Sequence, residues 1–328
     1  MKTPIDWHST LIGLIGGCLV NYYAVLDVGG SSIKYALMDE SGEFIKKSSV
    51  TTPKESLELF LDKVTFIVNE CRKTHELQGV AFSMPGAVNV ETGYIAGLSA
   101  LPYIHGPNMK ELLQERTHLP VEMENDANCA ALAEGWIGAA KDIMDYLCLV
   151  IGTGIGGAVV LNKKVRHGKN QFCGEFGYMI MEDYLEKTEG ETLSSLAAVG
   201  GLITKVAKRK GMEPDSLTGK KVFGLAESGD EEVKDEIERF MKRLAVGIYN
   251  LQYMLDPEKI LIGGAISSRE GFIERINEIL FQMKFNQNDL TVSVERCRFG
   301  NDSNLIGALY HFLQRQLAGE KKEAIPNE

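Results

Sequence analysis

The chain has 328 residues, of which 44% are hydrophobic and 24% are charged. These proportions exclude a fibrous or disordered chain, and the length favours two domains whose cores need no disulfide or metal. The net charge is −10, because 45 acidic residues outnumber 35 basic ones, and such a chain is a poor general partner for nucleic acid.

An apolar segment near the start of the chain is too short to cross a membrane. It covers ten residues, Leu11 to Val20, whereas a spanning helix needs about 20. It also lacks the basic start and the clear cleavage site of a secretory signal. The six cysteines form no CxxC pair, which is typical of buried thiols in a reducing compartment. We therefore interpret residues 1–20 as an extension outside the fold and expect a cytoplasmic protein that contacts no membrane.

The first half of the chain predicts a three-stranded antiparallel meander followed by alternating helices and strands. The predicted strands lie at Tyr22–Asp27, Ile33–Met38, Phe44–Val50, Gly79–Ser83 and Val121–Met123, and the predicted helices at Leu57–Cys71 and Met109–Arg116.

In the first half a glycine-rich turn at Val28–Ser32 joins the first two predicted strands, and the second half repeats this arrangement of strand, glycine-rich turn and strand. Its predicted elements are a helix at Asp126–Trp136, a strand at Tyr146–Ile151, a turn at 152–157, a strand at Ala158–Leu161, helices at Leu193–Lys210 and Glu231–Leu255, a strand at Ile260–Ile262 and a helix at Arg269–Met283. Two similar α/β halves predict a cleft between them, which is a common place for a ligand.

The glycines of the second turn match GxGxxG at Gly152, Gly154 and Gly157. A dinucleotide site requires a helix after this motif, but the residues that follow have a strand pattern, and the P-loop motif is missing from the sequence. Both glycine-rich turns can instead expose backbone N–H groups to phosphate. The alternative for each turn is a tight hairpin without a ligand.

Five segments, taken in order, resemble the sugar kinases of the ROK (repressor, ORF, kinase) family within the actin/hexokinase-like ATPase superfamily. The segments are Asp27–Lys34, Glu124–Asn128, Ile151–Gly157, Gly174–Tyr178 and Asp256–Ser267. The resemblance extends from Tyr22 to Leu317. It implies an α/β fold of two actin/hexokinase-like (ribonuclease H-like) domains with a cleft between them. The first would cover residues 21–124, completed by a C-terminal helix at 303–318, and the second residues 125–302.

The resemblance implies that ATP, with Mg²⁺, donates its γ-phosphoryl group to a sugar hydroxyl, usually the 6-OH. It assigns Asp126 as the general base, a role that phosphoryl transfer requires near the attacking oxygen. From the residues alone, Asp126 is also explained as a carboxylate that favours a helix dipole. The implied sugar-binding residues are Asn125, Glu175, Pro85, Gly86 and Tyr178. The implied nucleotide-binding residues are Asp27, which could hold Mg²⁺ through water, and Gly29, Gly30, Ser31, Ser32, Lys34, Gly152, Thr153, Gly154, Gly156, Gly157, Gly263 and Gly264.

The sequence departs from the family pattern at several positions. Tyr178 occupies the position of a zinc-binding His, and no cysteine run follows Cys173, so we expect no structural zinc. Ser194 stands where a sugar-binding Glu is expected, and Ala100 stands where many members have Asn. The chain thus resembles a subgroup that includes glucokinases, β-glucoside kinases and N-acetylmannosamine kinases. The sequence leaves glucose, mannose, N-acetylmannosamine and β-glucosides open as acceptors.

Two other classes of function remain open at this point. Regulators of the same family carry a DNA-binding domain before the kinase-like part, and only about twenty largely apolar residues precede Tyr22, which argues against DNA binding. A protein that binds sugar or ATP without catalysis is the other class, because the zinc ligands are missing. The oligomeric state is also left open, with a homodimer as one form.

Overall fold

The computed structural model describes residues 20–97, 99–182, 191–283 and 292–323. Residues 1–19 of the extension predicted at 1–20 lie outside these residues. Within them the fold is mixed α/β and has two five-stranded sheets. None of the helices in this described part combines the length and the apolar content that crossing a bilayer requires.

The first sheet is formed by the first half of the chain. Its strands are β1 (Tyr22–Val28), β2 (Ser32–Asp39), β3 (Phe44–Thr51), β4 (Leu77–Met84) and β7 (Val121–Asn125), in the spatial order β3-β2-β1-β4-β7. A short hairpin of β5 (Ala87–Val88) and β6 (Ile95–Ala96) follows β4. The first three strands are antiparallel, as predicted, and β4 and β7 run parallel to β1.

The second sheet has the same plan. Its strands are β8 (Tyr146–Ile151), β9 (Ile155–Leu161), β10 (Lys164–Val165), β13 (Lys259–Gly263) and β14 (Glu295–Arg296), in the order β10-β9-β8-β13-β14. A separate pair is formed by β11 (Ile180–Glu182) and β12 (Glu191–Thr192). As in the first sheet, a hairpin opens the half and parallel strands follow on the other side of its first strand. The repetition predicted from the sequence is confirmed.

The helices of the described residues are, in chain order, α1 (Leu57–Arg72), α2 (Met109–Thr117), α3 (Asp126–Ile137), α4 (Leu193–Ala197), α5 (Val199–Lys210), α6 (Gly219–Glu227), α7 (Glu231–Leu255), α8 (Phe272–Gln282) and α9 (Ser303–Glu323).

Three local predictions were wrong. The glycine-rich turn ends earlier than predicted, because Ile155 to Gly157 already belong to β9. The single helix predicted at 193–210 is two helices, since Ala198 between them is extended at φ −91° and ψ 160°. The helix predicted from Arg269 begins at Phe272, after Gly271 has taken a left-handed conformation at φ +73°.

Helix α3 packs between the two sheets. Its residues Cys129 and Ala133 join a core cluster with β1 and β2 of the first half and with α9 at the end of the chain, whereas Ala131 joins a cluster with β8 and β9 of the second half. Small side chains allow this close approach on both sides, which explains why the helix is rich in alanine. Because α3 is held by both halves, the residue at its start has a fixed position relative to both.

Gly307 generates a prediction about the contact between α3 and α9. A Cβ at this position would lie 1.7 Å from the carbonyl oxygen of Cys129, so the two helices cannot keep their spacing with any side chain there. We expect Gly307→Ala to lower the free energy of unfolding by about 3 kcal/mol or more.

Gly224 in α6 is the matched control, because a Cβ there meets nothing within 4 Å. Gly224→Ala should raise the free energy of unfolding by up to about 1 kcal/mol, the difference in helix propensity. Urea unfolding of the two variants checks both values. Equal effects would contradict the packing argument.

Candidate active site

A cavity of about 540 Å³ lies where the connecting segments of the two sheets meet. Its lining contains many of the predicted site residues: Gly86, Asn125, Asp126, Gly152, Thr153, Gly154, Gly156, Glu175 and Tyr178. It also contains Thr192, Ser194 and Asn304, to which the sequence analysis had assigned no binding role. The cavity therefore joins residues from both halves of the chain.

Asp126 is the first residue of α3 and follows β7 directly. Asn125 caps the helix, because its Oδ1 accepts from the backbone N of Ala127 at 2.9 Å and of Asn128 at 3.1 Å. Asp126 Oδ1 accepts from the N of Ala127 at 2.8 Å and from Nδ2 of Asn125 at 3.0 Å. The same Nδ2 donates to the carbonyl of Gly86 at 3.0 Å. The carboxylate is thus fixed by the helix start and by the turn after β4.

The surroundings of Asp126 raise its pKa to about 6. Burial is the largest cause, the negative charges of Asp27 and Glu175 add to it, and the hydrogen bonds from Ala127 and Asn125 oppose it. Burial also raises the pKa of Glu175. A carboxylate whose pKa lies near neutrality is ionised at pH 7 and still basic enough to take a proton, which suits a general base.

Asp27 lies at the end of β1 and is 7% exposed. Its Oδ1 accepts from Ser83 Oγ at 2.9 Å and from Asn304 Nδ2 at 3.0 Å, and its Oδ2 lies 3.4 Å from Nζ of Lys34. Asn304, from α9, lines the cavity itself, so Asp27 stands directly behind the cavity wall. No sequence motif pointed to Asn304, because it reaches the site only through the packing of the last helix.

The turn between β8 and β9 presents bare backbone to the cavity. The N of Gly152 donates to the carbonyl of Gly154 at 2.9 Å, which closes the turn, and the N of Ile155 donates to Ser194 Oγ at 2.8 Å. Within 4 Å, the only neighbour of a Cβ added to Gly152 would be the carbonyl oxygen of Gly154, at 4.0 Å. The only neighbour of a Cβ added to Gly154 would be Ser194 Oγ, at 3.6 Å. These two positions leave space that a ligand can occupy.

Other predicted glycines are explained by packing within the protein. A Cβ on Gly157 would lie 2.4 Å from the ring of Phe176, and a Cβ on Gly264 would lie 2.1 Å from the carbonyl of Ile151. A Cβ on Gly30 would lie 2.5 Å from the Cβ of Ala100. The predicted residues that do not line the cavity are Pro85, Asp27, Gly29, Gly30, Ser31, Ser32, Lys34, Gly157, Gly263 and Gly264. Their assignment to ligands stays a prediction.

A second, smaller cavity of about 250 Å³ follows Gly263 and Gly264 along the chain. It is lined by Val199, Gly219, Lys220, Phe223, Ala265, Ile266 and Arg269. The guanidinium of Arg269 lies over the ring of Phe223, 4.1 Å from its centroid. The N of Val199 donates to the carbonyl of Gly152 at 3.0 Å, so this cavity adjoins the glycine turn.

Tyr178 and Ser194 shape the other side of the large cavity. Tyr178 is 73% exposed and ends a short turn that begins after Glu175. Ser194 has no long side chain to fill the cavity, and its hydroxyl accepts a hydrogen bond from the backbone N of Ile155.

Within the described residues, His, Cys, Asp and Glu side chains form no group of three or more that could hold a metal ion. The expectation of no zinc stays a prediction.

Comparison with known proteins gives a consistent result. The profile of the ROK family matches residues 23–315. A β-glucoside kinase of Listeria monocytogenes is 35% identical over 295 residues, which cover 89% of this chain and 98% of that kinase. The crystal structure of a ROK family protein from Streptococcus pneumoniae in complex with sucrose has a TM-score of 0.82 and 35% identity, and the match covers 90% of this chain and 99% of that one.

A ROK hexokinase from Thermus thermophilus is similar over 90% of this chain and 99% of its own, with a TM-score of 0.76 and 26% identity. The chain belongs to the ROK family, as the five sequence segments indicated. Within that family it is a carbohydrate kinase by class.

The raised pKa of Asp126 generates a prediction about stability. In the unfolded chain an Asp has a pKa of about 3.9, so folding at pH 8 keeps a charge that the folded protein disfavours. Asp126→Asn retains the hydrogen bonds to Ala127 and removes this charge. We expect the variant to be more stable than the wild type by roughly 2–3 kcal/mol at pH 8, the free energy that a shift of about two pKa units represents.

The gain should disappear at pH 4, where Asp126 is protonated when folded and partly protonated when unfolded. Thermal melts at both pH values measure the difference. A gain of equal size at pH 4 and pH 8 would mean that charge is not its origin.

Proposed function

We propose that this chain is an ATP-dependent sugar kinase that transfers the γ-phosphoryl group to a hydroxyl of a hexose or glycoside, the 6-OH by resemblance. The observation that carries the proposal is Asp126, a half-buried carboxylate with a pKa of about 6 at a cavity that also contains the bare glycine turn. Such a site supplies a base and a phosphate cradle at one cavity.

In the proposed reaction the acceptor hydroxyl lies against Asp126. The carboxylate takes the hydroxyl proton while the hydroxyl oxygen forms a bond to the γ-phosphorus. The bond from that phosphorus to the bridging oxygen breaks, and ADP leaves with the electron pair. Asp126 then returns its proton to solvent. Catalysis in this reaction comes mainly from positioning and from neutralisation of phosphate charge.

The nucleotide is assigned to the second half of the chain. The backbone of Gly152, Thr153 and Gly154 would hold phosphate oxygens, because two of these residues leave their Cβ space open. The adjoining smaller cavity would hold the base, between Phe223, Arg269 and the turn at Ala265. Asp27 and Lys34 would approach the phosphates from the first sheet. Mg²⁺ prefers oxygen ligands and retains several waters, so Asp27 suits it through a bridging water.

We further propose that the two sheets are the centres of two actin-like domains, with the boundaries predicted from the sequence and the cavity as the cleft between them. Two features support this assignment. The strand orders of the sheets are equivalent, and the cavity takes residues from both. Helix α9 packs on β1 and β4 of the first sheet, which agrees with a first domain completed by the end of the chain.

The acceptor would bind between Asn125, Glu175 and the turn at Gly86. Asn125 already uses its amide in the helix cap and in the bond to Gly86, so it would also fix the shape of this pocket. The short Ser194 leaves room beside Glu175, and the exposed ring of Tyr178 offers an apolar face at the entrance. These features favour a β-glucoside over a free hexose. Initial rates with glucose, mannose, N-acetylmannosamine and β-glucosides test this order.

Asp126→Asn tests the proposed base. The variant keeps the shape and the hydrogen bonds but cannot take the proton, so kcat should fall by about 10²–10⁴-fold while sugar affinity changes little. In the wild type, kcat/KM should fall as the pH drops below about 6, where the carboxylate is protonated.

Asp142→Asn is the matched control, because Asp142 is an exposed carboxylate just beyond α3. Its rate should equal that of the wild type in a coupled assay for ADP. More than half the activity left in Asp126→Asn removes Asp126 from the role. Sugar binding without any turnover in the wild type would favour a non-catalytic binding protein.

Gly154→Val tests the phosphate cradle. The added side chain would project into the cavity near Ser194 and occupy the space assigned to phosphate oxygens, so KM for ATP should rise at least about tenfold. Calorimetry with an ATP analogue measures the same loss directly, and an unchanged melting temperature shows that the fold is intact. Normal nucleotide affinity in this variant would make the turn a simple hairpin.

A further inference from the structure

The carboxylate of Glu124, two residues before Asp126, connects parts of the site that are distant in sequence. Glu124 is 1% exposed. Its Oε1 accepts from the backbone N of Asn125 at 2.7 Å and from Nδ2 of Asn128 at 3.0 Å. Its Oε2 accepts from Nε2 of His167 at 2.6 Å. One oxygen therefore holds the start of α3, and the other holds a residue of the second half.

His167 begins the segment that ends at Glu175. It follows β10, and its carbonyl accepts from the backbone N of Cys173 at 3.2 Å, which closes the segment into a loop. Glu175 lies two residues beyond Cys173 and lines the large cavity. The position of His167 therefore influences where Glu175 stands.

The charges support a strong link between Glu124 and His167. Burial acts to raise the pKa of Glu124, but the hydrogen bond from His167 and the nearby His311 outweigh it, and the pKa is lowered. The hydrogen bond to Glu124 raises the pKa of His167. His311 lies 3.7 Å from the same carboxylate oxygen, and burial lowers its pKa, so of the two histidines the charged form is favoured at His167 and disfavoured at His311. Charge-assisted hydrogen bonds of this kind are short and strong.

We propose that His167 is a positioning residue for phosphoryl transfer: through Glu124 it fixes the distance between Asp126 on α3 and Glu175 on the loop after β10. The inference rests on the proposed function, because it takes both carboxylates as parts of the sugar site. His167 does not line that cavity and acts only through its partner. A misplacement of about 1 Å at a site of this kind is enough to cost roughly 10²-fold in rate.

Three substitutions separate positioning from general stability. His167→Leu removes the donor, His167→Gln keeps an amide that can donate to Glu124, and His167→Asn keeps an amide on a shorter side chain. Lys169→Gln is the control, because Lys169 is exposed in the same loop and its replacement changes the charge of that loop without touching Glu124.

We expect kcat/KM for the sugar to fall about 100-fold in His167→Leu, shared between kcat and KM, while KM for ATP stays unchanged. The Gln variant should recover most of the loss, the Asn variant should not, and Lys169→Gln should match the wild type. Unfolding curves report stability separately. If His167→Leu does not fold, the difference in kcat/KM between the Gln and Asn variants tests the proposal.

Equal kinetics in the Gln and Asn variants would overturn the proposal. It would also be overturned if His167→Leu only lowered the fraction of folded, active protein and left the KM for sugar unchanged. Failure of the proposed function gives a different result. In that case Asp126→Asn keeps its activity, or the wild type phosphorylates no sugar. Sugar affinity measured by calorimetry on the same four variants then decides the role of His167 without turnover.

Discussion

The position of α3 is the constraint on which the rest of the site depends. This helix is packed by both sheets and by α9, and the approach of α9 is so close that a Cβ at Gly307 would overlap the carbonyl of Cys129. Its first residue, Asp126, consequently has no freedom to move with one half alone. The cap by Asn125 and the carboxylate of Glu124 then fix the first turn, so the side chain proposed as the general base is held by the backbone around it.

The site concentrates negative charge at a considerable energetic cost. Asp27, Asp126 and Glu175 lie close enough for the first and third to raise the pKa of the second. Lys34 lies beside Asp27, while Ser83 and Asn304 satisfy its other oxygen. This arrangement destabilises the ionised form of Asp126 and makes it a better proton acceptor. Stability is reduced at the residue proposed as the general base, and such a loss of stability is a common feature of active sites.

The glycines of the chain serve two different purposes that their sequence motifs do not distinguish. Gly152 and Gly154 leave open space beside the cavity, which we propose that a ligand occupies. Gly157, in the same motif, and Gly264, in the segment Asp256–Ser267, are required because neighbouring protein atoms already fill the place of a Cβ. A motif therefore marks a segment where chains approach closely, and only the contacts show whether the approaching group belongs to the protein or to a ligand.

The amino-acid sequence alone predicted the repeated halves, the hairpins that open them, and the segments that carry Asp126, Glu175 and the second glycine turn. These features depend on local patterns such as alternating apolar residues, turn residues and helix caps, which act within a few residues of each other. The tertiary structure decided the rest. Asn304 and the pair of Glu124 and His167 join residues separated by up to 277 positions, so no local pattern reveals them. The break at Ala198 was also not predicted, because local helix propensity alone would continue the helix through this residue. The break is accompanied by a long-range hydrogen bond, in which the N of Val199 donates to the carbonyl of Gly152.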